Sequence, residues 1–520
     1  MALIERPVAA PPVAPAASEP APPDPRRWYT LAVLCTSLII VIVGNTSLNI
    51  ALPTLARSLG ASTAQQQWMV DAYSLVFCGL LLTAGATGDR YGRKGALQAG
   101  LLLFLVAAIT ASFATSAEQV IACRALMGLA AAFVMPSTLS ILTNVFPPHE
   151  RAKAIAVWAG ISGAGAAIGP IASGFLLAHF WWGSIFLVNV PIVLIALIGG
   201  YFVVPKSRDP MQARLDPIGA VLSIAGIVAL VYTIIEGPGH GWGSGITMGG
   251  FALAIFILGL FGWWELHRSE PMVDLRYFKN RQLSVASGSM TLVYFAMFGI
   301  FFLMTQYFQL IHGYGTLSTG LRQGPVAIVM ILVAPRSPAL ATRFGRNRVV
   351  AGGMGSVAIG MLLFSLAGPH TSYYFILGTM VFISAGMALT ISPLTASIMS
   401  GVPLRKAGIG SAINDTTREL GGALGVAVIG SLVASRYVSS LSHTLVGLPA
   451  DLIAKAKSSL AGAISVSNTP GHSELAGIAR QSFLDGMHLA LRFAAIIAII
   501  AATIAYRLLP PGTDHKVQVH

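Results

Sequence analysis

Apolar residues run along this chain in stretches of about twenty, the length an α-helix needs to cross bilayer hydrocarbon, and polar residues collect in the gaps between them. Runs at 28–52, 67–88, 95–113, 117–145, 154–178 and 184–204 predict six helices. Two more follow at 217–235 and 249–264, then six at 283–311, 321–341, 349–366, 374–399, 407–434 and 486–508. The expected fold class is an all-α polytopic membrane protein with about fourteen spans. Most gaps are short, which makes neighbouring helices antiparallel, and the even count leaves both chain ends on one side. The exception is the polar stretch 437–481, within which 451–464 keeps a weak helical period.

An internal repeat divides the pattern. Gly88-Asp89-Arg90-Tyr91-Gly92-Arg93 follows the second helix, and Ala341-Thr342-Arg343-Phe344-Gly345-Arg346 follows the tenth, with arginine, aromatic and glycine at the same spacing. Two related six-helix bundles are expected, over 28–204 and 283–508, with inserted helices at 217–264 and an outer loop at 437–481. Repeated bundles with a site between them are a transporter signature. Residues 1–27, crowded with Pro and Ala and lacking a continuous apolar core, are expected to be a disordered tail, and 509–520 a second tail.

Composition narrows the class. Hydrophobic residues make up 55% of the chain and charged residues 10%, which excludes an ordinary soluble domain. The formal charge of +13 is spread over alternate gaps (Arg90/Arg93/Lys94, Arg151/Lys153, Lys206/Arg208/Arg214, Arg276/Lys279/Arg281, Arg343/Arg346/Arg348, Arg405/Lys406). A nucleic-acid reader would cluster such residues on one soluble face. Retention of basic loops inside the cell instead predicts cytoplasmic termini and the loop 437–481 outside. Cys35, Cys78 and Cys123 fall inside predicted spans and read as small apolar residues. No metal-ligand spacing, phosphate loop or nucleophile cluster is found, so neither an enzyme nor a cofactor is expected, and no metal site.

The turn Gly85-Ala-Thr-Gly88-Asp89-Arg90-Tyr91-Gly92-Arg93-Lys94 closely resembles motif A of the major facilitator superfamily. The resemblance implies a conformational latch at Gly85, Asp89, Arg90, Gly92 and Arg93. Gly165-Ala-Ala-Ile-Gly169-Pro170-Ile-Ala-Ser173-Gly174 resembles the antiporter motif C, with Ser173 where a glycine is usual, and implies a hinge at Gly165, Gly169, Pro170 and Gly174. Arg124-Ala-Leu-Met127-Gly128 is similar to motif B, and Gly44-Asn45-Thr46-Ser47-Leu48-Asn49, together with Asp216-Pro217-Ile-Gly219, looks like the fourteen-spanner drug:proton antiporters. That family commonly has aspartate where Gly44 stands, so strongly cationic drugs are in doubt as substrates.

Buried charge gives the sharpest candidates. In Asn414-Asp415-Thr416-Thr417-Arg418-Glu419, the two acids are four residues apart on one helical face, roughly 12 and 18 Å beyond Ala407. Arg418 is expected to hold Asp415 ionised and leave Glu419 to carry the coupling proton, with Arg124 as a further intramembrane charge and Asp71 as the reserve acid. Removing Asp415 would then strand a buried arginine at a cost of about 3 to 5 kcal/mol. Asn45, Asn49, Tyr294, Phe298, Phe301 and Gln306 are candidates for a substrate cavity.

The expected function is export of small amphipathic or cationic compounds in exchange for protons by alternating access, from the bacterial inner membrane and as a monomer. The alternative is export of an endogenous lipid, siderophore or metabolite by the same machinery.

Overall fold

The structure is a computed structural model and describes residues 25–208, 216–268, 271–272, 274–402, 407–442, 445, 449–469 and 473–511. Most of both expected tails lies outside these residues. Among the described residues thirteen helices are long and apolar enough to cross a membrane, and the 32-residue helix Pro148–His179 stands beside them as a fourteenth long helix. In chain order they are α1 (Arg27–Leu59), α2 (Thr63–Tyr91), α3 (Arg93–Ser112), α4 (Ala117–Val145), α5 (Pro148–His179), α6 (Ser184–Val203) and α7 (Pro217–His240). Then come α8 (Gly245–His267), α9 (Arg281–Ile311), α10 (Thr316–Phe344), α11 (Arg346–Phe364), α12 (Tyr373–Ser400), α13 (Ala407–Ser442) and α14 (Leu475–Leu508).

Many helices outrun the apolar stretches that announce them. The hydropathy pattern marks only what lies in hydrocarbon, whereas backbone hydrogen bonding continues into the polar margins until a cap ends it. Those caps are visible. Ser62 and Gln65 form a reciprocal capping box at the start of α2. Ser116, Asp216, Ser244, Asn280 and Ser372 accept backbone N–H bonds at the starts of α4, α7, α8, α9 and α12. The described residues of 437–481 are likewise more helical than their polarity implies. α13 runs on to Ser442, α14 begins at Leu475, and two short helices, Ala450–Ser458 and Leu460–Ser467, lie between. The Tyr437 hydroxyl donates to the Ala456 carbonyl at 2.8 Å, and Leu460, Ala463 and Val466 are buried.

Prolines break the helices, and neighbours repair the breaks. Pro393 leaves the Leu389 carbonyl without its N–H, and the Ser337 hydroxyl of α10 donates to it at 2.7 Å. In α1 the helix is interrupted at Ser47, whose carbonyl accepts from Ser173 of α5 at 2.7 Å.

The helices sort into two groups and an inserted pair. Within the first group α2 packs closely on α4, and within the second α9 packs on α13. Both contacts depend on missing side chains. Gly128 lies against the Tyr73 carbonyl in one, and Gly421 and Gly425, four residues apart, lie against the Thr291 and Phe295 carbonyls in the other. The repeated turns also match in conformation. Gly92 and Gly345 have φ of 127° and 91°, backbone that a side chain disfavours. Arg90 stacks on Tyr91 as Arg343 stacks on Phe344, at 5.5 and 5.2 Å.

Both described chain ends and these two turns lie on one face of the molecule, the terminal face. Bonds between the two groups gather at the opposite, far face and at mid-depth. Gln309 of α9 donates to the Ile50 carbonyl of α1 at 2.9 Å, and Thr316 of α10 to the Gly174 carbonyl of α5 at 3.2 Å. Gln67 of α2 reaches the Val426 and Ala427 carbonyls of α13 at 3.0 and 2.9 Å. Cys78 meets the Thr416 carbonyl at 3.7 Å near the middle of the span. The molecule is therefore closed at its far face.

Candidate functional site

The acid cluster of α13 sits where that helix faces α2 and α9. Arg418 Nη1 lies 3.6 Å from Asp415 Oδ1, and its guanidinium is 4.9 Å from the Tyr294 ring centre. Asn414 donates to Asp415 at 3.2 Å and accepts from Thr395 of α12 at 3.1 Å. Glu419 is not drawn into this pair. Its Oε2 is buried beside the Ser74 hydroxyl of α2, which is buried as well. One acid is thus neutralised by its neighbour, and the other is left at the contact between the groups.

Position 124 shows why an intramembrane arginine is tolerated without a carboxylate. Arg124 is wholly buried. Its guanidinium donates to the Met69 carbonyl at 2.9 Å, the Gly44 carbonyl at 2.9 Å and Asn45 Oδ1 at 3.2 Å, and it stacks 4.4 Å above Tyr73. Three charge-assisted bonds and a ring face replace water. The side chain rivets α4 to α1 and α2, and Glu419 is close enough to act on it electrostatically.

Asp71, the reserve acid of the sequence, lies on the face of α2 that meets α7 and α13. It is fully buried, and neither carboxylate oxygen has a partner among the described residues. It shares a helical face with Ala64, Trp68 and Leu75, which pack against Val231 and Ile235 of α7 and Ala423 and Ala427 of α13. The available signal was its i, i+4 relation to Leu75 on an otherwise apolar face; what could not be read was that α7 would cover it.

The cavity candidates do not share one surface. Tyr294 and Phe298 lie beside Arg418 and Gly422. Phe301 lines a void of about 10 Å³ inside the second group, with Met297, Met304, Met380 and Met387. Gln306 borders another of about 10 Å³ near the far face, with Thr63, Tyr437 and Phe483. Asn45 is occupied by Arg124, and Asn49 is half-buried on α1. A Cβ at Gly44 would lie 2.8 Å from Phe104 of α3, so position 44 faces the packed interior of the first group.

The latch residues fold onto themselves. Arg93 Nε donates to Asp89 Oδ1 at 2.6 Å within their own turn, and Gly85 packs against Pro136 of α4 at 3.3 Å. The hinge residues split between two contacts. Gly165 and Gly169 lie against Ile42 and Thr46 at the break in α1, whereas Pro170 and Gly174 meet Gly320 and Thr316 of α10. One glycine-rich stretch of α5 therefore serves both the inside of a group and the seam between groups.

The sequence matches the model of the Major Facilitator Superfamily over residues 34–426. The multidrug efflux pump LfrA of Mycolicibacterium smegmatis is 34% identical over 483 residues, covering 92% of this chain and 95% of that protein. The methyl viologen resistance protein SmvA of Salmonella typhimurium is 35% identical, covering 92% and 97%. The tetracenomycin C resistance and export protein of Streptomyces glaucescens is 32% identical, covering 92% and 91%. Among solved structures, a bacterial homolog of the human lysosomal transporter Spinster superposes with a TM-score of 0.66 at 15% identity, over 93% of this chain and 97% of that one. Fourteen spans in two groups related by a repeated turn, an arginine riveted among helices, and a sequence match over most of the length converge: the chain belongs to the Major Facilitator Superfamily.

Proposed function

We propose that this protein is a secondary transporter, not an enzyme, that exports small amphipathic or cationic compounds in exchange for protons. The basic turns of the terminal face support a cytoplasmic position for that face and for both chain ends. Closure at the far face is then the inward-facing state, in which Asp89 of the latch pairs with Arg93 within its own turn. No resident cofactor is invoked; the proton gradient supplies the energy.

The observation that carries the reading is the division of labour on α13. Arg418 pairs directly with Asp415, while Glu419, one turn further along α13, stands outside that pair at the seam with α2. A proton bound to Glu419 from one side and released to the other would change the charge at the contact that must open and close. Asp71, enclosed at the same seam, is a second carboxyl able to carry a proton. Cationic cargo is supported by the relatives' names, methyl viologen among them, and Gly44, which faces Phe104, gives no reason to prefer an endogenous lipid, siderophore or metabolite.

In proteoliposomes with an imposed pH difference, the parent protein is expected to accumulate methyl viologen against its gradient and to lose that accumulation on addition of an uncoupler. Glu419→Gln fixes a neutral side chain and is expected to abolish uphill accumulation while leaving insertion intact. Accumulation by this variant at the parent rate would remove Glu419 from the mechanism.

A further inference from the structure

The two inserted helices carry a feature that a mere connector would not need. Pro238 in α7 has no N–H, so the Ile234 carbonyl one turn earlier lacks its helical partner. That carbonyl accepts from the Ser431 hydroxyl of α13 at 2.7 Å. The Ser431 oxygen in turn lies 3.3 Å from Gln67 Nε2 of α2, which also donates to the Val426 and Ala427 carbonyls of α13 at 3.0 and 2.9 Å, and Gln67 and Ser431 are both wholly buried. One chain of hydrogen bonds therefore joins the first group, the second group and the inserted pair at a single point on the far side. Two further bonds flank it. Trp68 of α2 donates to Glu236 of α7 at 3.3 Å, and Trp242, just after α7, donates to Ser435 of α13 at 2.9 Å. Beneath lies the apolar cluster of Leu75, Val231, Ile235, Ala423 and Ala427, drawn from the same three helices. α8 contributes little to this seam. Only 11% of its most apolar window is buried, and it packs chiefly on α7.

We infer that α7 is a clamp on the far gate: it binds α2 and α13 together through Ile234, Ser431 and Gln67 when that face is closed, and must release one of them for it to open. Ser431 is the positioning residue of the device. Its hydroxyl both satisfies a carbonyl that no backbone group can reach and bridges to the opposite group. The bridge stabilises the closed state only, because separating α2 from α13 parts Gln67 from Ser431, whereas the Ser431–Ile234 bond between α13 and α7 can persist.

The test reads conformation directly and needs neither cargo nor a pH gradient, so its outcome is independent of whether the protein exports methyl viologen. Nitroxide labels are placed at Thr115→Cys and His370→Cys, two exposed far-face positions in different groups, in a background from which Cys35, Cys78 and Cys123 have been replaced. Distances are measured by pulsed electron resonance in nanodiscs. Ser431→Ala is expected to raise the long-distance fraction relative to the short by about fivefold, the factor for one lost hydrogen bond of ~1 kcal/mol. Ser431→Ala with Pro238→Ala separates the clamp from local repair, because alanine at 238 returns an N–H to the Ile234 carbonyl but restores no tie between groups. The clamp predicts that the double variant stays opened. An unchanged distribution in Ser431→Ala, or full return to the parent distribution in the double variant, overturns it. Should Ser431→Ala fail to insert, Trp68→Phe with Trp242→Phe removes the flanking ties without touching a backbone partner; a rise in the long-distance fraction supports the clamp and an unchanged distribution refutes it.

Discussion

At the scale of single residues, charge in this protein is tolerated by two different means. Arg124 is satisfied by carbonyls and an aromatic face, a geometry only a planar fork of donors can fill, so Arg124→Lys keeps the charge yet leaves acceptors unmet. Losing even one charge-assisted bond is worth about 1.5 to 3 kcal/mol. The lysine variant is expected to insert, melt lower in a detergent thermal-shift assay and transport at least about tenfold more slowly; a melting curve equal to the parent's would contradict the rivet. The α13 pair behaves differently. The Arg418 side chain is 34% exposed and Asp415 17%, so stranding the arginine by Asp415→Asn costs far less than the 3 to 5 kcal/mol that full burial implies. A loss of about 1 kcal/mol or less is expected in thermal unfolding. The residue types and their spacing on α13 were legible in the sequence, as was the arginine on α4. Exposure was not, since it depends on how two helix groups part. Nor was the direction of Gly44, which Phe104 decides from another helix.

At the scale of elements, the fourteen helices could be read from hydropathy, and their ends could not, because caps and polar margins extend them. The glycine-rich segment of α5 shows the limit of motif reading most clearly. A single hinge was the natural expectation, but Gly169 is pressed against Thr46 inside the first group while Pro170 and Gly174 meet α10 of the second. Substitutions along these contacts should therefore have separable effects. Gly169→Leu is expected to reduce folded yield, because the clash falls within a packed bundle. Gly320→Ala places a Cβ 2.6 Å from the Pro170 carbonyl at the seam, and is expected to leave yield near the parent's while shifting the far face toward opening. Size-exclusion recovery and the Thr115–His370 label pair measure the two quantities. Equal loss of yield in both variants would erase the distinction between hinge and seam.

At the scale of the whole molecule, the repeat visible in sequence is matched by two turns of like conformation, and the parity of spans sets both ends on one face. Cysteine at Gly95, exposed and with open space around its Cβ, is expected to react with an impermeant maleimide only after cells are opened, and cysteine at His370 in intact cells. Labelling of position 95 from outside would invert the topology. What composition could not convey was the role of α7, since an apolar helix looks the same whether it faces lipid on all sides or is wedged between two moving bodies. A last consequence attaches to Cys78, whose thiol lies on the α2–α13 contact against the Thr416 carbonyl, while Cys35 and Cys123 are on α1 and α4. The unmodified protein thereby contains its own clock for gating: a small membrane-permeant alkylating agent should consume this sulfur at a rate set by how often the two helices separate.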